Sequence, residues 1–441
     1  MQRRTFLKAS ALAAATGAAA GAATSAFAAP APIANPSGSQ KYSETIEKAR
    51  AAAREVLKPT PAQLQHGLEL HAASVVVESY GFSPRSALDV DALNKAVESG
   101  ASPLELSDLR EEMGMTGCVA HAHQQAQYKE AWEAAGVTCI LQNAGEECQA
   151  PLRILRRLAR FTYVCDRLRD FVFKAVTPDD ILAAKQQGRH CLYFSSNAVP
   201  MVEQWVSAPS ELELLRVFFQ LGTRMMHMTY NRRNMLGDGC AEPANAGLSD
   251  FGRMAVAEMN RIGIIPDPAH SGWQTSLETA QVSERPIMIS HSVCDALNHH
   301  CRAKPDNVIK AVCDKGGVMG ICLIGGFLGG SGDIAAVLDH IDYVVKRFGP
   351  DHAAIGMDIG YSCRWPDEAK KATTVPRGRA RWENFWPKDS RTGRSHPSLA
   401  WTNWPMLTVG MVQRGYSDQD IQKILGGNVL RVARETWKAV G

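Results

Sequence analysis

Residues 262–291 read IGIIPDPAHSGWQTSLETAQVSERPIMISH, and their order decides the fold. Two apolar, strand-like runs each end in a histidine, His270 and His291. Between them, SGWQTSLETAQVSE has the composition of a helix with Ser and Thr near its start. The order is strand, His, helix, strand, His. In a β/α barrel this places both imidazoles at the carboxyl ends of neighbouring strands, where barrel active sites form. Two neutral imidazoles converging on one point make half of a transition-metal site. From spacing alone, a pair of satisfied loop histidines is the competing reading.

The alternation continues on both sides. Strand-like runs are ASVVVES, TGCVAHAH, VTCILQNA, HCLYFSSNA and TRMMHMTYN before it, and VMGICLI and HAAIGMDIG after it. Helical patterns separate them. One opens at Thr177-Pro178-Asp179-Asp180, a capped start with Pro in the first turn. Another runs from Ser249 to a stop at Gly263. Strands alternating with helices predict a parallel sheet, and eight such units predict a closed (β/α)8 barrel. The polar, Trp-, Arg- and Pro-rich segment 363–400 is expected to be a long loop at the barrel mouth.

The chain has 441 residues and a formal charge of +3. Residues 1–28 read as a twin-arginine export signal: Arg3 and Arg4, then Phe6, Leu7 and Lys8, an Ala/Gly-rich run, and SAFA before Ala29. That run is too short and weakly apolar for a membrane span. A Pro/Ser/Gly linker over 29–42 and one barrel domain over 43–441 complete the expected organisation, with a periplasmic destination. The signal carries three basic residues and no acid, so the remainder balances 45 basic against 45 acidic residues. Such a surface gives no reason to expect nucleic acid or an anionic membrane as partner. The eleven cysteines form no CxxC pair, and their odd number argues against a fully paired disulfide framework.

Several blocks resemble the membrane (renal) dipeptidase family of zinc metallopeptidases. GLSDFGRMAVAEMNRIGIIPDPAH is similar to the family's block ending in a metal histidine, here His270, and RPIMISHSVCDAL to the block around a second, His291. NHHCRAKPDNVIKAVCDKGGVMGI resembles the segment with a substrate-binding arginine, here Arg302. FGPDHAAIGMDIG resembles the last-strand segment with a catalytic aspartate, here Asp358. RGYSDQDIQKILGGNVLRV matches the family's C-terminal helix signature. The resemblance implies a homodimeric (β/α)8 barrel that cleaves dipeptides with two zinc ions. Asp358 would shuttle the proton, and Arg302 would hold the substrate carboxylate.

The departures are as informative. Where the family has a His-x-Asp ligand pair after its first strand, this chain has Tyr80 and Phe82. Where the family has a bridging glutamate, it has Ser195, Ser196 and Asn197. Tyr230 stands in place of a substrate-polarising histidine. One zinc per chain is therefore expected, on His270 and His291. Glu78, His121 and His123 are candidates to complete it, Glu78 because it alternates with Tyr80 and Phe82 onto one strand face. Tyr230 as a catalytic group and Tyr80 as a substrate contact would donate hydrogen bonds to an oxyanion. The expected activity is hydrolysis of a dipeptide or related amide. A lyase, isomerase or other hydrolase, or an inactive binding protein for small molecules, remains the alternative on the same scaffold.

Overall fold

The computed structural model describes residues 41–145, 149–202, 206–366 and 395–437. The segment read as an export signal, and most of those read as a linker and a mouth loop, lie outside these residues. Nine strands form among them: β1 (Val77–Gly81), β2 (Cys139–Asn143), β3 (Val172–Lys174), β4 (His190–Ser196), β5 (Thr223–His227), β6 (Ile265–Asp267), β7 (Met288–Ser292), β8 (Val318–Ile321) and β9 (Ala353–Ile355). All pairings are parallel. β1-β2-β4-β5-β6 make one hydrogen-bonded path and β7-β8-β9 another, with β3 off the path beside β4. The paths meet at both edges, where β6 lies against β7 and β9 against β1. Asp267 Oδ1 accepts from Ser290 N across the first seam at 3.2 Å, and Asp358 N reaches Tyr80 O across the second at 3.4 Å. Leaving β3 aside, eight parallel strands alternate with helices, as the (β/α)8 reading requires.

One predicted strand is not a strand. TGCVAHAH lies in helix Pro103–Ala120 and the start of helix Ala122–Ala135. The helix is decided upstream, where Ser102 and Glu105 make a capping box and Pro103 occupies the first turn. Its apolar run is a buried helix face rather than a strand. The Thr177 start behaves as read: Thr177 and Asp180 form a capping box ahead of Pro178–Gln186.

The barrel interior is filled from below by Val77, Leu141, Tyr193, Met225, Ile265 and Val318. Above them comes a layer of small residues. Ser79 Oγ on β1 donates to Ser290 O on β7 at 2.7 Å. This crossing is open because Gly320 and Gly356 have no side chain: a Cβ on either would stand about 2 Å from Ser290 O (2.0 and 2.1 Å). The ten described cysteines are all free thiols. No described helix is long and apolar enough to cross a membrane.

Candidate active site

Above that layer, the carboxyl ends of β5, β6 and β7 bring four side chains together. His227 ends β5, Asp267 ends β6, His270 follows three residues later, and His291 lies in β7. Asp267 shapes the turn. Its Oδ1 accepts from Ala269 N at 2.9 Å and from Ser290 N at 3.2 Å, which ends β6 and carries the chain back towards the barrel axis. His270 and His291 then face each other with Nε2 atoms 2.9 Å apart. His270 Nδ1 lies 2.6 Å from Asn231 Oδ1, and His291 Nδ1 lies 2.7 Å from Ser290 Oγ. His227 Nε2 approaches Asp267 Oδ2 at 2.8 Å. This is an ion-pair distance; neither nitrogen of His227 nor Oδ2 of Asp267 makes a hydrogen bond of regular geometry, and all three atoms are buried. None of the four residues is more than 4% exposed.

Two tyrosines cover the cluster. Tyr80 stacks on His291 with ring centres 3.9 Å apart, and its hydroxyl donates to Asn197 Oδ1 at 2.7 Å. Tyr230 stacks on His270 at 4.2 Å. Asp358 Oδ2 is 3.9 Å from His291 Nε2, and its backbone takes a φ of 57°. A non-glycine residue in that left-handed region is uncommon and is often held there for function. Arg302 is buried, donates to Ala269 O and to His291 O (3.3 Å for the latter), and its guanidinium lies over the Phe327 ring.

The electrostatics favour ligation. Burial, reinforced by the Arg302 guanidinium, holds His270 and His291 well below the usual histidine range. Both are neutral at pH 7, the form that ligates metals. Burial pushes Asp267 up, but His227 and the hydrogen bonds on its carboxyl outweigh this and hold it below its ordinary value. Burial pushes Asp358 up to about 7, against the pull of Arg302.

Not every candidate arrives here. Glu78, expected to share a strand face with Tyr80, is separated from it by an irregularity in β1 between Glu78 and Gly81. The extra step turns Tyr80 towards the histidines, while Glu78 accepts from Trp401 Nε1 at 2.8 Å. Burial also holds the Glu78 carboxyl well above the usual carboxylate range, which disfavours its charged form. His121 and His123 lie with the segment after β9: His123 Nε2 is 3.0 Å from Arg364 O, and His121 meets Trp365 edge to face. Neither shares the cluster. His227 and Asp267 were not among the residues singled out from sequence. Their signal was present: His227 closes an apolar run just as His270 and His291 do, and Asp267 stands three residues before His270.

The donor set fits one ion. His227, Asp267 and His291 present ligand atoms all within 4.8 Å of one another.

The membrane dipeptidase family model (peptidase family M19) matches residues 65–377, a span containing all of these side chains. The chain belongs to this family. It is similar to dipeptidase tcpJ of Claviceps purpurea, 30% identical over 227 residues covering 50% of this chain and 47% of that protein. Dipeptidase 3 of mouse is 23% identical over 320 residues, covering 64% of this chain and 59% of its own length. The chain thus spans about half the length of the first of these curated relatives. Among solved structures, an amidohydrolase from Pseudomonas aeruginosa aligns with a TM-score of 0.63 at 25% identity, covering 84% of this chain and 99% of its own. A metallopeptidase from Rhodobacter sphaeroides, bound to a phosphinate mimic of L-Ala-D-Ala, shares the fold with a TM-score of 0.59 at 17% identity, over 82% of this chain and all (100%) of its own. The family is that of the membrane dipeptidases, and the chain belongs to it by descent.

Proposed function

We propose that this chain is an exported, single-zinc hydrolase of a dipeptide or a closely related small amide. The observation that carries the reading is the convergence of His270 and His291, 2.9 Å apart, beside Asp358, an aspartate of positive φ shortly after β9. His270 and His291 would hold the ion. Bound there, zinc would polarise a carbonyl oxygen and acidify a water.

The protein's own groups do the rest. Asp358 Oδ2 faces the histidines and, with a pKa of about 7, can take a proton from the attacking water and pass it to the departing amine. Arg302 is fixed by two backbone carbonyls and supplies a positive charge for the substrate's carboxylate. Tyr230, which stacks on His270, would donate a hydrogen bond to a developing oxyanion. Tyr80 is committed to Asn197 and shapes the floor beside His291. The Arg3-Arg4 signal supports export of an already folded, metal-loaded protein to the periplasm, and a homodimer is the assembly the family resemblance suggests.

The test is turnover of a panel of L,L- and L,D-dipeptides by zinc-loaded protein beside Asp358→Asn. Hydrolysis by the parent, with kcat in Asp358→Asn reduced by at least about 100-fold and KM little changed, is expected. Dipeptide binding without turnover in the parent would overturn the reading in favour of a binding protein. That alternative is motivated by the missing bridging carboxylate.

A further inference from the structure

We infer that the metal site of this chain has been rebuilt around a ligand pair of its own, His227 Nε2 and Asp267 Oδ2, which join His291 and His270. The inference rests on the single-zinc reading above and deepens it by naming the ligands that replace the lost ones.

Three observations carry it. The first is unsatisfied polarity. His227 has two buried nitrogens without a hydrogen bond, and the nearest polar atom to one of them, Asp267 Oδ2, has none either. Buried polar groups are almost always satisfied, and an unoccupied ion position is among the standard reasons for an exception. A lone orphan is unremarkable; His227 Nε2 and Asp267 Oδ2, neither with a hydrogen bond, face each other at 2.8 Å beside two further imidazoles.

The second is the protonation of the pair alongside. His270 Nδ1 faces Asn231 Oδ1 at 2.6 Å. That oxygen also receives the Cys240 thiol at 3.3 Å, so it is an acceptor and Nδ1 carries the proton. His270 Nε2 therefore presents a lone pair to His291 Nε2. Asp267 is prepared in the same sense. Its Oδ1 is committed to two backbone N–H donors, which leaves Oδ2 as the aimed oxygen.

The third is distance. Bonds of about 2.0–2.1 Å to zinc place tetrahedral ligands roughly 3.3 Å apart. The pairs here are separated by 2.8 Å (His227 to Asp267) and 2.9 Å (His270 to His291). The ligand atoms of His227, Asp267 and His291 lie within 4.8 Å of one another, and His270 reaches this group through His291, so small outward adjustments would make room for the ion. Three imidazoles and one carboxylate suit zinc by donor type. A catalytic zinc keeps one position for water, so three of the four side chains would hold the ion and the open position would face Asp358. The rebuilt site lies on β5, β6 and β7 and needs nothing from β1 or β4, the two strands from which the family's ligands are missing.

The test uses the folded, full-length mature protein, stripped of metal and titrated with zinc and with cobalt(II). The variants are His227→Gln, Asp267→Asn and, as a control, His121→Ala/His123→Ala. Bound metal is read by elemental analysis, and cobalt coordination by its visible absorption. Asp267→Asn keeps an oxygen for Ala269 N and Ser290 N, so it reports on Oδ2 even if His227→Gln folds poorly. The expected result is one ion and a four-coordinate cobalt spectrum in the parent and the control. In both test variants the affinity falls by more than about 100-fold, beyond the 10–100-fold loss typical of a residue that merely supports a ligand. Retention of one ion with an unchanged cobalt spectrum in His227→Gln and Asp267→Asn, with loss in His270→Ala, would overturn this inference and leave the single-zinc reading standing. A parent that binds no ion would overturn both.

Discussion

At the residue scale, Asp358 is the side chain whose environment makes the sharpest claim. Its φ of 57° aims the carboxyl at the cluster, and burial raises its pKa from 3.8 to about 7. A carboxyl whose folded-state pKa is raised contributes stability that is fully present below the unfolded value and is lost as pH rises through the folded value. In the metal-free protein, Asp358→Asn should therefore gain stability over the parent between pH 5 and pH 8. The whole shift corresponds to an upper limit on the order of 4 kcal/mol, of which the window from pH 5 to pH 8 spans roughly 2.5 kcal/mol, and about 2 kcal/mol is expected there after relaxation. Urea melts at the two pH values read this directly. An identical stability difference at pH 5 and pH 8 would show that the carboxyl does not titrate in this window. His270, His291, Arg302 and Asp358 were legible because each sits in a block whose local pattern names it. His227 was hidden inside TRMMH, where a histidine among methionines reads as a core residue, and its 2.8 Å approach to Asp267 exists only once β5 and β6 are paired.

At the scale of elements, short-range chemistry was readable where caps and apolar runs agreed. The Thr177 capping box illustrates this. TGCVAHAH illustrates the opposite case. Its apolar residues suit a strand or a buried helix equally, and the Ser102–Glu105 cap about a dozen residues upstream decides for the helix. The Glu78 expectation failed for a related reason. Alternation assigns faces only along a regular strand, and one irregularity between Glu78 and Gly81 sends Glu78 to Trp401 and Tyr80 to His291. The small-residue layer beneath the site yields a prediction at this scale. A methyl group at Gly356 would stand 2.1 Å from Ser290 O and 2.7 Å from Ser79 Oγ. Neither neighbour is the far end of a flexible chain, so β9 or β7 must move. Gly356→Ala should cost about 1–3 kcal/mol, as overpacking usually does, and the thermal midpoint should fall accordingly. A midpoint within a degree of the parent's would mean that the barrel is looser here than the Ser79–Ser290 contact indicates.

At the scale of the whole molecule, the fold and the site are coupled by barrel closure. β1 meets β9 through Tyr80 and Asp358, and β6 meets β7 through Asp267 and Ser290, so the residues at the mouth are also the residues that close the seams. The strand–helix alternation made the barrel legible from sequence. The closure geometry was not, because it depends on which strand ends face one another across the axis. The losses at Tyr80, Phe82 and Ser195–Asn197 read from sequence as a weakened metal site; in the fold, His227 and Asp267 come up to His291 at the ends of β5–β7. The most direct measurement is the metal content of the folded mature protein at saturating zinc, with His270→Ala beside it. One zinc per chain, lost in the variant, is the predicted result. Two ions per chain, or none after zinc is supplied, would contradict the account.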